Sequence, residues 1–155
     1  MRAFILVTIY EWSKQPYQKW IKKNPAWDLP IEKLIAYPYE SLGFHLGCFL
    51  LKYDFTPQPK LEDHDVFHVL TNIGISVPEE LAMQYYLLGN GKRSMYLLSV
   101  IVLGSLFYPD KINFFAKAYK KGKTAHPFYQ LEYKKLLHQP IQKIQSTFLI
   151  TSLCK

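Results

Sequence analysis

His64-Asp65-Val66-Phe67-His68, followed by Glu80, is the one stretch of this sequence whose residue types and spacing propose chemistry. On a helix, His64 and His68 stand one turn apart and ~40° apart in angle, so both imidazoles leave the same face. That is the spacing by which helical histidine pairs grip a metal ion. Asp65 lies ~100° from His64 and ~60° from His68, close enough to join from the side. Glu80 falls in the first turn of the next expected helix, and Gly74 and Pro78 in the intervening loop allow that helix to fold back on the first. Two neutral imidazoles with one or two carboxylates suit Zn²⁺ best, with Fe²⁺ and Mn²⁺ as alternatives, and Mg²⁺ if oxygen ligands dominate.

The pair alone is a weak signal, because five histidines produce some His-x-x-x-His by chance in roughly one shuffled chain in eight. The bland alternative is a surface histidine pair, with Asp65 and Glu80 making ordinary helix-end contacts. The pair also invites comparison with zinc peptidases of the His-Glu-x-x-His type, where the Glu is a general base on metal-bound water. Asp65 occupies that place here and is one methylene shorter, which argues against a peptidase.

The elements that must position these residues read as helices. At 155 residues, 49% of them hydrophobic and 16% aromatic, the chain has the length and apolar content of one folded domain, expected to span 1–155. Period-two alternation is weak throughout. Pro and Gly divide the sequence into segments of helical length, giving an expected all-α compact domain of seven to nine helices with the metal site between two adjacent ones. One or two helices are expected in 2–23, a short one in 31–36 ending at Tyr37-Pro38, and one in 41–53. The metal helix is expected over Glu62 to Asn72, with Gly74 as its stop. Ser76-Val77-Pro78-Glu79-Glu80 is a strong helix start, with Pro in the first turn and two acids beside it. That helix should end at Gly89-Asn90-Gly91. Further helices are expected over 92–108, from Pro109 to Lys121 before Gly122, over 128–137 and over 141–148.

The net charge is +7, but only Arg2 and Arg93 are arginines, which argues against sequence-specific nucleic-acid reading. Lysines crowd the C-terminal third, where an anionic membrane surface could attract them and a solvated lysine face is the plainer reading. Cys48 and Cys154 form no disulfide framework and suit a reducing cytoplasm; Cys48, in an apolar stretch, reads as a small core residue. The apolar start, Met1 to Tyr10, is brief and lacks a signal-peptide cleavage pattern. Met95 to Tyr108 falls short of the ~20 residues that span a bilayer. The expectation is a soluble or peripheral protein. His45 reads as a packed or surface histidine, His126 and His138 as exposed loop residues, and Gly89 to Arg93 as a turn rather than a phosphate cradle.

Taken together, His64-Asp65-x-x-His68, eleven residues and Glu80 resemble the signature of the ubiquinone (coenzyme Q) biosynthesis protein Coq-four family. Softer matches fall in the right order from about 38 to 144. Ser41-Leu42-Gly43 is similar to the family's Thr-Leu-Gly segment. The stretch from Ala118 through Gly122 to Pro127 resembles its Ala-x-x-x-Gly-x-x-x-x-Pro, and Pro140-Ile141-x-x-Ile144 resembles its closing pattern. Glu132 stands near the family's Trp-Glu pair, followed by Tyr133. The chain departs from the pattern at Glu79, where a small residue is common, and at the acidic Glu62-Asp63.

The resemblance implies an all-helical fold and a divalent metal held by His64, Asp65, His68 and Glu80. It further implies a cavity for an isoprenoid quinone precursor and association with a membrane surface and other quinone-biosynthesis proteins. The implied location is the cytoplasm, peripheral on the inner face of the membrane, with a homo-oligomer open. The implied activity is removal of the ring carboxylate of a polyprenylated hydroxybenzoate, with hydroxylation at that carbon. A non-catalytic prenyl-lipid-binding or scaffolding protein and a metal-dependent hydrolase are the alternatives.

Overall fold

A computed structural model describes residues 27–57 and 62–153. The helices expected in 2–23 lie outside the described residues. Among the described residues there are eight α-helices and no strand. They are α1 (Ile31–Ile35), α2 (Leu42–Lys52), α3 (Glu62–Thr71), α4 (Val77–Gly89), α5 (Met95–Phe107), α6 (Ile112–Thr124), α7 (Tyr133–Leu136) and α8 (Ile141–Thr147). A 3₁₀ turn, Pro109–Lys111, joins α5 to α6. The all-α expectation holds.

Local chemistry explains most boundaries. The Ser41 side chain caps α2 by accepting from Phe44 N at 3.2 Å, and the Ser94 side chain caps α5 by accepting from Leu97 N at 3.1 Å. At α4, Ser76 N donates to Glu79 Oε2 at 3.0 Å, the backward half of a capping box, so the start read from the sequence is the start observed.

Three helix boundaries need correction. The stop of α3 is Asn72, not Gly74: Asn72 takes the left-handed φ of 52° that ends a helix, which Asn tolerates better than most residues. Gly74 instead clears space for the cap of α4, since a Cβ there would lie 2.5 Å from the Glu79 carboxylate. Gly122 does not end α6, which runs on to Thr124. It is a contact point: α4 and α6 cross so closely that a Cβ on Gly122 would collide with the Tyr86 carbonyl, and one on Gly89 with the Tyr119 carbonyl. Finally, the helix expected over 128–137 shrinks to α7: Leu131 N returns to Phe128 O and Tyr133 N to Leu131 O, turn bonds in place of a helical ladder. Phe128 N donates to Asn90 Oδ1 at 2.9 Å, and Asn90 Nδ2 in turn donates to the carbonyls of Gly122, Ala125 and His126.

The core is built where α3, α4 and α6 meet the 128–137 segment. Val66, Phe67 and Leu70 of α3, Ala82, Met83, Tyr86 and Leu87 of α4, and Phe115 and Ala118 of α6 are buried. Phe67 meets Phe128 and Tyr133 edge-on, with centroids 6.0 and 5.8 Å away. The chain's last described residues tie down the end of α3. Gln145 Nε2 donates to Leu70 O at 2.8 Å, Leu153 N to Thr71 O at 3.4 Å, and Lys121 Nζ to Ser152 O. These bonds fix the end of the helix that carries the histidines. Cys48 is exposed, contrary to the core reading. The buried side of α2 is Leu42, Gly43, Leu46, Gly47 and Leu50, and position 48 faces away from it.

Candidate metal centre

Val66, Phe67 and Leu70 anchor α3 to the core, and that anchorage turns His64 and His68 toward α4. The capping box and the buried Leu81, Ala82 and Met83 set the first turn of α4, which presents Glu80 to them. His64 Nε2 lies 3.2 Å from Glu80 Oε2, and His68 Nε2 lies 3.1 Å from Glu80 Oε1. The two Nε2 atoms are 3.2 Å apart. One ligand atom from each of His64, His68 and Glu80 can be chosen so that all lie within 4.8 Å of one another. His68 is 2 % exposed at its side chain, His64 22 % and Glu80 35 %, so the group is rooted in the core and open on one side.

This donor set asks for a cation. His68 Nδ1 lies 2.9 Å from Ile73 O, and a carbonyl only accepts, so Nδ1 carries the hydrogen. In its neutral form His68 then aims its Nε2 lone pair at the carboxylate and at His64. Lone pairs facing a carboxylate need a proton or a metal between them. A tetrahedral ion with metal–nitrogen bonds of about 2.0–2.1 Å spaces two nitrogens by ~3.3 Å, close to the separation seen. The residues present therefore fit a divalent ion. The Ile73 carbonyl plays the orienting part that backbone acceptors commonly play behind a metal-binding imidazole.

When the histidines are protonated instead, they answer the carboxylate's charge as a cation would. Burial pushes the Glu80 carboxyl up, but the charge of His64 and the hydrogen bonds from both histidines outweigh it, leaving its pKa well below the usual carboxylate range. Burial pulls His68 down, yet its bond to Glu80, the charge there and the Ile73 carbonyl raise it overall. Asp65 stands beside the group, within reach of the charges of both histidines and Glu80. Burial raises its pKa, against the pull of both histidines and with the push of Glu80 and Glu62.

Sequence reasoning missed two features of the site. The Phe49 ring of α2 stacks on His68, with centroids 5.5 Å apart and planes 14° from parallel. Phe49 also meets Tyr53 and Phe55, making an aromatic wall beside the imidazole. The signal was present as Phe49 and Tyr53 one turn apart near the end of α2, but spacing within one helix does not reveal its neighbour. The other candidates lie outside the group. His126 and His138 are exposed, with His138 against Tyr37, and His45 is half-buried beside Phe44. Gly89 to Arg93 is a turn, with Gly91 at φ 106°.

Fold and site thus define an all-helical protein with a His–His–Glu group between two adjacent helices. The family model for "Coenzyme Q (ubiquinone) biosynthesis protein Coq4" matches residues 53–153, and the chain belongs to that family. A crystal structure of a Nostoc punctiforme protein, provisionally assigned to ubiquinone biosynthesis, is similar to this chain with a TM-score of 0.65 at 14% identity. The likeness covers 100% of this chain and 83% of that one. At that identity it bears on the fold alone. No curated protein matches the chain.

Proposed function

We propose that this protein binds a divalent metal through His64, His68 and Glu80, with Asp65 completing or flanking the set, and uses it in ubiquinone biosynthesis on a polyprenylated hydroxybenzoate. The observation that carries the reading is the convergence of two Nε2 atoms and one carboxylate, with His68 held in the metal-binding tautomer by Ile73 O. Zinc is the leading ion by donor type. Bound there, it would supply Lewis acidity toward carboxylate or phenol oxygens.

The chain's own residues contribute position and surroundings. Glu80, kept ionised, balances the cation; Phe49, stacked on His68, holds the imidazole plane. The exposed edges of His64 and Glu80 leave the group open to an incoming ligand. Phe49, Tyr53 and Phe55 offer ring faces suited to an aromatic head group. The reaction proposed is loss of the ring carboxylate as CO₂, with a proton taking its place on the carbon; hydroxylation there would be a further step consuming molecular oxygen and two electrons from a separate donor, with water released.

The test has two parts. Protein purified without added metal is assayed for bound metal, and the intact protein is then offered a prenylated hydroxybenzoate. Turnover that disappears in His64→Ala, His68→Ala and Glu80→Ala supports the enzyme. Co-purified prenyl lipid without turnover replaces it with a carrier or scaffold, and release of a peptide or phosphate product replaces it with a hydrolase.

A further inference from the structure

The last turn of α3 and the loop after it set the direction of His68, and both are held from outside. A helix leaves its last four carbonyls without intrahelical partners. Leu70 O and Thr71 O are two of these, and each takes its donor from far along the chain: Gln145 Nε2 at 2.8 Å and Leu153 N at 3.4 Å. Two residues on, the carbonyl of buried Ile73 accepts from His68 Nδ1 at 2.9 Å. Between them Asn72 makes the left-handed turn, and its Nδ2 reaches Ser152 Oγ at 3.4 Å.

The outside donors belong to one segment. Leu149, at φ 53°, turns the chain back after α8, and Ile150 N then donates to Gln145 O at 2.8 Å. Gln145 is thus tied to the tail by its backbone and to α3 by its side chain. Ile150 and Leu153 are buried. Thr151 N donates to Tyr86 Oη of α4 at 3.4 Å, and Lys121 Nζ of α6 donates to Ser152 O. Residues 145–153 therefore clamp the end of the histidine helix against α4 and α6. Water could satisfy the carbonyls of Leu70 and Thr71 as well. It would leave the turn at 72–73 free to shift, and with it the acceptor that fixes the tautomer and ring plane of His68.

We propose that Gln145 and the segment 150–153 are positioning elements of the metal centre: by clamping the turn that carries Ile73 O, they hold His68 Nε2 where it faces His64 and Glu80, so that docking of the tail and binding of a divalent cation reinforce each other. The coupling presupposes the metal centre proposed above. It runs both ways, because the factor by which a docked tail raises cation affinity is the factor by which the cation favours docking. Groups that orient a metal-binding imidazole commonly change affinity by about 10–100-fold. Gln145 acts one step further out, through Ile73, so the lower end of that range is expected.

Metal-stripped wild type, Gln145→Met and Ser94→Ala are titrated with zinc by calorimetry, and amide exchange of the wild type is followed by NMR with and without zinc. Met keeps the approximate size of Gln without its donor. Ser94→Ala also removes one hydrogen bond, the cap of α5, on a helix that carries no metal residue. The expected results are a zinc affinity about tenfold weaker in Gln145→Met, an affinity in Ser94→Ala within about twofold of the wild type, and exchange of the Leu153 N–H slowed about tenfold by zinc. The coupling is overturned, with the metal centre intact, if the wild type binds zinc and Gln145→Met binds it equally well, or if zinc leaves Leu153 exchange unchanged. Equal losses in Gln145→Met and Ser94→Ala overturn it too, because the clamp would then serve stability alone. If Gln145→Met does not fold, the exchange of Leu153 in the wild type decides by itself. A wild type that takes up no zinc, iron or manganese removes the metal centre and the coupling together.

Discussion

Replacing Gly122 by Ala sets two effects of opposite sign against each other. Gly122 lies inside α6, where Ala is the better helix former by about 1 kcal/mol. Its added methyl group, however, would collide with the Tyr86 carbonyl and lie 3.1 Å from Asn90 N. Both are backbone atoms of the facing segment, so no side-chain rotation relieves the overlap and α4 and α6 must separate. Overpacking costs about 1–3 kcal/mol, and a backbone obstacle places this site at the upper end. The net expectation is a loss of about 2 kcal/mol, or a melting temperature lower by about 4–8 °C for a domain of this size. Gly104→Ala is the internal control. Its methyl group meets the Leu81 side chain, which can turn aside, so the helix-propensity gain and the packing loss should nearly cancel. Thermal melts of both variants, with urea titration for the free energies, decide the matter. A Gly122→Ala protein as stable as the wild type would refute the close α4–α6 crossing.

Other perturbations probe the frame and the site. Asn90→Ala removes a buried amide that serves three carbonyls and one N–H, and should destabilise by about 3 kcal/mol in urea titration; a loss under about 1 kcal/mol would mean water substitutes for it. Tyr133 donates to Phe128 O at 2.7 Å, and burial holds its phenol pKa above the ordinary value. Its stabilising contribution is complete below the unfolded value of about 10 and falls as pH rises from there toward the folded value. Tyr133→Phe should therefore be about 1 kcal/mol less stable near pH 8, with the gap to wild type closing above about pH 10; a constant gap would contradict the burial. Asp65→Asn should weaken metal affinity by about 10–100-fold in calorimetric titration, and unchanged affinity would remove Asp65 from the site.

The site was legible in the sequence because its signals are local. His64 and His68 fix their relation by helical spacing alone, and Ser76 to Glu80 announces a helix start that delivers Glu80. Signals that depend on a neighbour were misread. Gly122 looks like a stop in one dimension and is a crossing point in three. Asn72 can hold a left-handed φ, but Gly74 two residues later is the stronger stop signal, and it serves the next helix instead. The 128–137 stretch has helical composition, yet it begins in turns, with Leu131 N returning to Phe128 O, and Asn90, 38 residues away from Phe128, pins its start. Cys48 shows the limit of composition: among Phe44, Phe49 and Leu51, apolarity does not tell which side of α2 faces in. Asp65 was close enough in angle to join, and the fold keeps it within electrostatic reach of both histidines and Glu80.

The most direct test of the central claim is isothermal titration of metal-stripped protein with zinc, read alongside the melting temperature. One ion per chain is expected, and at a free concentration a hundredfold above Kd the ion should stabilise the fold by about 2.7 kcal/mol. His68→Gln, which keeps a side chain of similar polarity, should abolish both the heat and the stabilisation. Wild-type protein that takes up no zinc, iron or manganese, or His68→Gln protein that binds as the wild type does, would contradict the account.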